Sequence, residues 1–202
     1  MRIILTRHGE THENVKKISM GQGVDGLLNE LGIEQAKKLA LRLREEDMTA
    51  VYVSDLKRAV RTAEEVLYFH PRTKMILAPQ LRERNLGIYE GGPNKVWKEV
   101  MEQSPIPFHL FQPEGGESYA ELQERVGKFF DSLLEKHRED TLLLVSHTGT
   151  MTMLLLKIFN QPITRENYER YKPGNTAITI CEFVPKHQPV IHLLNNAEHL
   201  SV

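Results

Sequence analysis

The sequence predicts a layered α/β sandwich, and three observations carry that expectation. Short apolar runs that read as strands alternate with longer amphipathic runs that read as helices. Two of the apolar runs, residues 3–6 and 142–145, end alike, with one further residue and then a histidine, His8 or His147. The composition, 40% hydrophobic and 26% charged over 202 residues, is that of a globular chain long enough to bury a sizeable core. The length fits one domain, residues 1–202.

The elements follow in order. Residues 3–6 form a strand, and Arg7-His8-Gly9-Glu10-Thr11 lies just past its carboxyl end, where open α/β sheets place ligands. Residues 29–47 read as a helix capped by Asn29, with Leu31, Ala36, Leu39, Ala40 and Leu43 recurring at helical spacing. A strand over 50–53 leads to a helix capped by Ser54 or Asp55 and stopped near residue 69 by Pro71. A short strand is expected over 75–78. Residues 87–93 are glycine-rich, and Pro105, Pro107, Pro113, Gly115 and Gly116 mark residues 104–116 as loop-rich. Together they make residues 87–116 an insertion of loop and helix expected over the active site.

Ser118-Tyr119-Ala120-Glu121 is a capping box. The helix behind it carries Leu122, Val126, Phe129, Phe130, Leu133 and Leu134 on one face. After the strand over 142–145, a helix is expected over 150–159. Residues 176–184 and 190–194 read as terminal strands joined by a hairpin at 185–189. Neither an internal repeat nor a low-complexity segment interrupts the pattern.

Bulk properties exclude several classes. A net charge of −1 argues against broad nucleic-acid or membrane electrostatics, so any anion site must come from local arrangement. The single cysteine, Cys181, excludes an internal disulfide and a cysteine-based zinc site, and it reads as a buried strand residue. The first seven residues are apolar over only three positions, too few for a signal peptide. The apolar runs are too short for a membrane span. The expectation is a cytoplasmic protein whose partner is a small phosphorylated molecule, without nucleic acid or membrane; the oligomeric state stays open.

Phosphoryl transfer needs a nucleophile, cations around the phosphoryl oxygens and a proton for the leaving group. Neutral imidazole is a nucleophile near neutral pH, and a covalent phosphohistidine divides one hard displacement into two easier ones. Arg7 beside His8 can hold two phosphate oxygens at once. Arg58, in the first turn of its helix, adds charge to a helix start that already favours anions. His147 and the backbone N–H of Thr148 supply further donors. Glu83 can give a proton to a developing alkoxide and then activate water. Like-charge repulsion from a substrate phosphate favours the protonated carboxyl there.

These segments resemble the signatures of the histidine phosphatase superfamily, the phosphoglycerate-mutase-like proteins. The resemblance lies in Arg7-His8-Gly9-Glu10-Thr11 with Asn14, in Ser54 to Ala63 with Arg58 and Arg61, in Leu81-Arg82-Glu83-Arg84, and in Ser146-His147. Four motifs in family order cover nearly the whole chain. The resemblance implies a three-layer α/β/α sandwich with a mostly parallel sheet, and neither metal nor cofactor. It implies His8 as nucleophile, Glu83 as proton donor, and Arg7, Arg58 and His147 as the phosphate clamp. Asn14, Gly21 and Thr148 join them on the substrate side.

The segment Gly21-Gln22-Gly23-Val24-Asp25 with Leu28 is similar to that of fructose-2,6-bisphosphatase-type enzymes, small broad-specificity phosphatases and α-ribazole phosphatase. Thr148 intervenes before Gly149, and Met20 stands where relatives often carry a donor; both bear on substrate choice. A phosphoglycerate-type mutase and a non-catalytic phosphate-binding module remain as alternatives.

Two patterns are set aside. Gly21 to Gly26 satisfies G-x-G-x-x-G, yet a polar stretch precedes it and no helix opens on it. His8 and His12 have zinc-helix spacing, but Gly9 follows a strand end. His12, His70, His109, His137, His187, His192 and His199 read as surface or satisfied core residues.

Overall fold

Strand alternation and helix stripes meet in three layers. The protein's structure, a computed structural model, describes residues 1–184 and 187–201. Its elements in chain order are β1 (Arg2–Arg7), α1 (His12–Val15), α2 (Glu30–Leu43), β2 (Ala50–Val53), α3 (Lys57–Leu67), β3 (Lys74–Leu77), α4 (Asn94–Gln103), α5 (Tyr119–Lys136), β4 (Thr141–Ser146), α6 (Thr148–Ile158), α7 (Arg165–Tyr171), β5 (Ile178–Glu182) and β6 (Val190–Asn196). One sheet takes the order β3-β2-β4-β1-β5-β6. β1 to β4 run parallel and β5 is reversed, so the sheet is mostly parallel.

Successive strand residues face opposite layers. Ile3, Leu5, Leu142 and Leu144 pack under α5 and α6 with Leu122, Val126, Phe130 and Leu154. Ile4, Leu143 and Val145 pack on the other face under α2 and α3 with Leu39, Leu43, Ala63 and Val66. The helices that follow the neighbouring strands β1 and β4 therefore lie on opposite faces. This opens a crevice at the carboxyl ends of those strands, the usual ligand site of such sheets.

Several boundaries differ from the sequence expectation. Asn29 and Ser118 cap α2 and α5 as their positions suggest, accepting from the N–H groups of Gly32 and Glu121. Neither Ser54 nor Asp55 caps α3. Both side chains are committed elsewhere, Ser54 to His147 and Asp55 to Arg82. The N–H of Lys57 instead donates to Oδ1 of the distant Asp25, at 2.7 Å. α2 ends four residues before position 47. α6 begins directly after His147 rather than at 150, and β3 lies one residue earlier than expected. The expected hairpin at 185–189 falls partly on Pro185 and Lys186, outside the described residues; its flanking strands β5 and β6 do pair antiparallel.

Candidate active site

The register of β1 on β4 sets the site. Arg7 lies opposite Ser146, and the N–H of His8 donates to the Ser146 carbonyl at 3.0 Å. The two histidines therefore leave the sheet side by side, with ring centroids 5.2 Å apart. Both are buried.

His8 is held in one tautomer. Its Nδ1 lies 2.7 Å from the Gly9 carbonyl, which can only accept, so Nδ1 carries the proton and Nε2 keeps a lone pair. The same peptide is fixed from behind, because the Gly9 N–H donates to Thr62 Oγ1 at 3.0 Å. Thr62 in turn donates to the Arg58 carbonyl. Burial pushes the His8 imidazole well below its ordinary 6.5, and the charges of Arg58 and Arg7 push it further. The ring is neutral at neutral pH, as a nucleophile must be.

Arg58, fully buried, reaches over from the first turn of α3. Its Nε donates to Nδ1 of His147 at 3.2 Å, Nη1 to the Val24 carbonyl at 3.0 Å and Nη2 to the Gly21 carbonyl at 2.9 Å. A guanidinium has five N–H donors. Three are thus occupied, and one on each Nη is left for an anion. Because His147 Nδ1 accepts, its Nε2 carries the proton and donates to Ser54 Oγ at 2.7 Å. Burial, then Arg58, lowers the His147 imidazole well below its ordinary range.

Arg7 is half-buried; its Nε is buried and lacks an acceptor, while its Nη1 makes a long 3.4 Å contact with the Pro173 carbonyl. Burial lowers both guanidinium groups from their usual value. Glu83 sits at the start of α6, where its carboxylate accepts from the N–H groups of Gly149 at 3.0 Å and Thr150 at 3.2 Å. A methyl group on Gly149 would lie 2.5 Å from Glu83 Oε1, so glycine at that position permits the approach.

A cleft of about 340 Å³ joins these groups. Arg7, His8, Arg58, Glu83, Asn14, Gly21 and Thr148 all line it, while His147 stands behind Arg58 rather than on the wall. Gly21 contributes its carbonyl to Arg58. Met20 lines the cleft too, its sulfur 3.6 Å from Thr11 Oγ1. Trp97, Met101 and Phe108 close the far side from within residues 87–116.

Sequence reasoning missed Ser54 as the partner of His147, Thr62 behind Gly9, and α7, which brings Tyr168 to the wall. It also missed Asn175, whose amide donates to the His8 carbonyl at 2.9 Å. The Ser54 hydroxyl was visible in the sequence, but nothing local tells a cap from a long-range partner.

The other histidines take ordinary places. His12 is exposed. His137 is buried, 2.8 Å from Tyr52 Oη and 2.6 Å from Asp140. Burial pushes the Cys181 thiol up to about 12, which makes it an inert core residue. Among the described residues, no group of three or more His, Cys, Asp or Glu side chains is placed to hold a metal ion. Nor is any helix among them long and apolar enough to cross a membrane.

A neutral imidazole with a free lone pair, set between two guanidinium groups at a sheet crevice, defines a phosphoryl-transfer enzyme. The chain belongs to the histidine phosphatase superfamily (branch 1), whose family description matches residues 3–197. It is 36% identical over 165 residues to the metal-independent phosphoserine phosphatase of Arabidopsis thaliana, covering 77% of this chain and 68% of that protein. It is also 36% identical over 141 residues to the fructose-2,6-bisphosphatase TIGAR B of Danio rerio, covering 68% of this chain but 55% of that one. The solved structure of Bacillus stearothermophilus YhfR superposes with a TM-score of 0.87 at 28% identity, over 98% of each chain. The protein is thus a phosphoric monoester hydrolase of this family, in which a phosphohistidine intermediate is typical.

Proposed function

We propose that His8 is the nucleophile and Glu83 the proton-transfer group, in a phosphatase acting on a small phosphorylated metabolite. The observation that carries this reading is the His8 tautomer, with Nε2 unprotonated between Arg7 and Arg58. In the first half-reaction Nε2 bonds to phosphorus, the ester P–O bond breaks, and Glu83 gives its proton to the leaving oxygen. In the second, Glu83 takes a proton from water, whose oxygen attacks phosphorus. The P–N bond breaks, and inorganic phosphate leaves with the imidazole neutral again. Arg7 and Arg58 balance the charge on the phosphoryl oxygens; His147, expected from the sequence to join that clamp, is neutral with both ring nitrogens engaged and instead fixes Arg58 from behind. Asn14, Gly21 and Thr148 shape the wall around them.

Residues 1–202 act as one domain in which the segment 87–116 covers the site; Trp97, Met101 and Phe108 on the cleft wall support this. The lone, buried Cys181 suits a cytoplasmic setting. The test is phosphate release from an aryl phosphate with EDTA present. Wild type should turn over, and His8→Ala should be inactive and take up no label as phosphohistidine. Equal rates in the two would reject the reading. Incubation with phosphoglycerates then separates hydrolysis from isomer interconversion.

A further inference from the structure

Glu83 serves two oxygens in turn, that of the leaving group and that of water, so its carboxyl group needs a fixed place. One end of the residue is held by the start of α6, whose Gly149 and Thr150 N–H groups bind the carboxylate, and by the N–H of Arg84 at 2.8 Å. The other end is held from α5. Arg125 stands in the second turn of that helix, outside the wall of the cleft. A guanidinium has five N–H donors, and here each has an acceptor. Nε and Nη2 donate to Oε1 and Oε2 of Glu117, both at 2.8 Å. Nη1 donates to the carbonyls of Gln80 at 2.6 Å and Arg82 at 3.2 Å, and Nη2 to that of Glu83 at 3.3 Å. One side chain thus grips three carbonyls of the segment 80–83.

Glu117 aims this fork. It lies just before Ser118, the cap of α5, and its two oxygens set the plane of the guanidinium. Its backbone grips the neighbouring residues of the same segment. The Glu117 carbonyl accepts from Nε of the buried Arg84 at 2.7 Å, and its N–H donates to the Asn85 carbonyl at 2.9 Å. Residues 80–85 are therefore docked along the start of α5, which itself packs against α6. Two other side chains touch the segment. Gln22 Nε2 donates to the Glu83 carbonyl at 2.9 Å, and Thr150 Oγ1 to the Arg82 carbonyl at 2.7 Å. Each fixes one carbonyl, whereas Arg125 spans three and so sets their orientation as well. A lysine has a single nitrogen and cannot reproduce the fork.

We propose that Arg125 is a positioning residue for Glu83, holding the backbone of the acid so that its carboxyl group meets the leaving oxygen. The proposal rests on the reading of Glu83 as the proton-transfer group. Arg125 lies off the cleft wall, so it acts on the phosphoryl group only through Glu83. Its loss should therefore be felt where a proton must be delivered, and little where the leaving group departs without one. Misplacing a reacting group by about 1 Å costs up to roughly 10²-fold in rate. Glu117 shares the role, because without it the guanidinium loses the two contacts that orient it.

The experiment measures kcat/KM for an alkyl phosphate and for nitrophenyl phosphate, whose leaving group needs no proton. Arg125→Lys keeps a positive charge beside Glu117 and removes the fork. It should lose roughly tenfold to 10²-fold on the alkyl phosphate and less than about threefold on nitrophenyl phosphate. In a Glu83→Gln background the same substitution should cost nothing further on the alkyl phosphate, because the group it positions is already gone. Equal losses on the two substrates mean a merely structural role and overturn the proposal. An undiminished alkyl rate overturns it too, as do additive losses in the double variant. If Arg125→Lys does not fold, Arg125→Met combined with Glu117→Gln is assayed in the same way, since it removes both charges of a partly buried pair together. Failure of both to fold assigns Arg125 to stability and overturns the positioning role. If Glu83→Gln itself loses equally on both substrates, the acid role of Glu83 fails instead.

Discussion

Replacing Ser54 by alanine removes the hydroxyl 2.7 Å from Nε2 of His147. Both residues are fully buried, so water cannot take its place. The N–H left without an acceptor costs about 1–3 kcal/mol. For a domain of this size, about 2 kcal/mol corresponds to a fall in Tm of roughly 4–8 °C. The catalytic loss has a separate cause. Ser54 keeps the His147 proton on Nε2, which leaves Nδ1 free to accept from Arg58 Nε. With Ser54 gone, the ring can change tautomer or turn, and Arg58 loses one of its three anchors. Misplacing a charge-stabilising donor costs up to roughly 10²–10³ in rate, so kcat/KM on an aryl phosphate should fall by at least roughly tenfold. Ser146→Ala is the control, since it deletes an equally buried hydroxyl that bonds the Leu81 carbonyl at 2.6 Å and touches neither His147 nor Arg58 through its side chain. It should lose stability with a far smaller loss of rate. Equal rates for the two variants, or an undiminished rate in Ser54→Ala, would refute the argument.

Three other outcomes are expected. Gly32→Ala should destabilise the protein in urea, although alanine gains about 1 kcal/mol over glycine in a helix, because the new methyl would sit 2.0 Å from the Glu10 carbonyl oxygen. Glu83→Gln should lower kcat/KM, which reports the phosphoryl transfer to His8, by roughly 10²–10⁴ on alkyl phosphates and much less on nitrophenyl phosphate, whose leaving group needs no proton; an equal loss of kcat/KM on both would remove the acid role. His8 and His147 are held neutral well below 6.5 by burial and by Arg58, so below that pH the unfolded chain binds protons that the folded chain refuses. Stability should be full above pH 6.5 and fall as the pH drops below it, with a slope approaching about 1.4 kcal/mol per pH unit for each histidine. Urea midpoints from pH 8 to pH 5 measure this, and His8→Ala should flatten the curve.

What could be read in the sequence was what short-range rules control. Residues 3–6 and 142–145 are continuous apolar runs because β1 and β4 are covered on both faces. Their shared ending brings His8 and His147 together once β1 and β4 pair in parallel. Asn29 and Ser118 cap the helices that follow them because their acceptor oxygens stay local; the distant contact of Asn29, to Glu10 at 2.9 Å, uses its Nδ2 and leaves Oδ1 for the cap. Ser54 and Asp55 look equally good as caps, yet partners 93 and 27 residues away take them. α7 escaped because it buries only Tyr171 and so carries no apolar stripe. Arg84 read as one more charge in a polar segment, since its burial depends on helices and loops far along the chain.

The glycines of the segment 21–26 show why a motif can be correct in its physics and wrong in its ligand. Gly21 has a φ of +50°, and a methyl there would lie 1.9 Å from Glu90 Oε1; at Gly23 it would lie 2.3 Å from Oε2. The backbone has been cleared of side chains so that an anion can approach its N–H groups, which is also what a pyrophosphate-binding loop requires. Here the anion is internal: Glu90 accepts from Gln22 at 2.8 Å, from Gly23 at 2.6 Å and from Leu86 at 2.9 Å. That contact ties the loop down with its carbonyls turned the other way, and two of them, Gly21 and Val24, hold the Arg58 guanidinium. The pattern of glycines thus serves phosphate binding at one remove, by fixing the arginine that meets the phosphate.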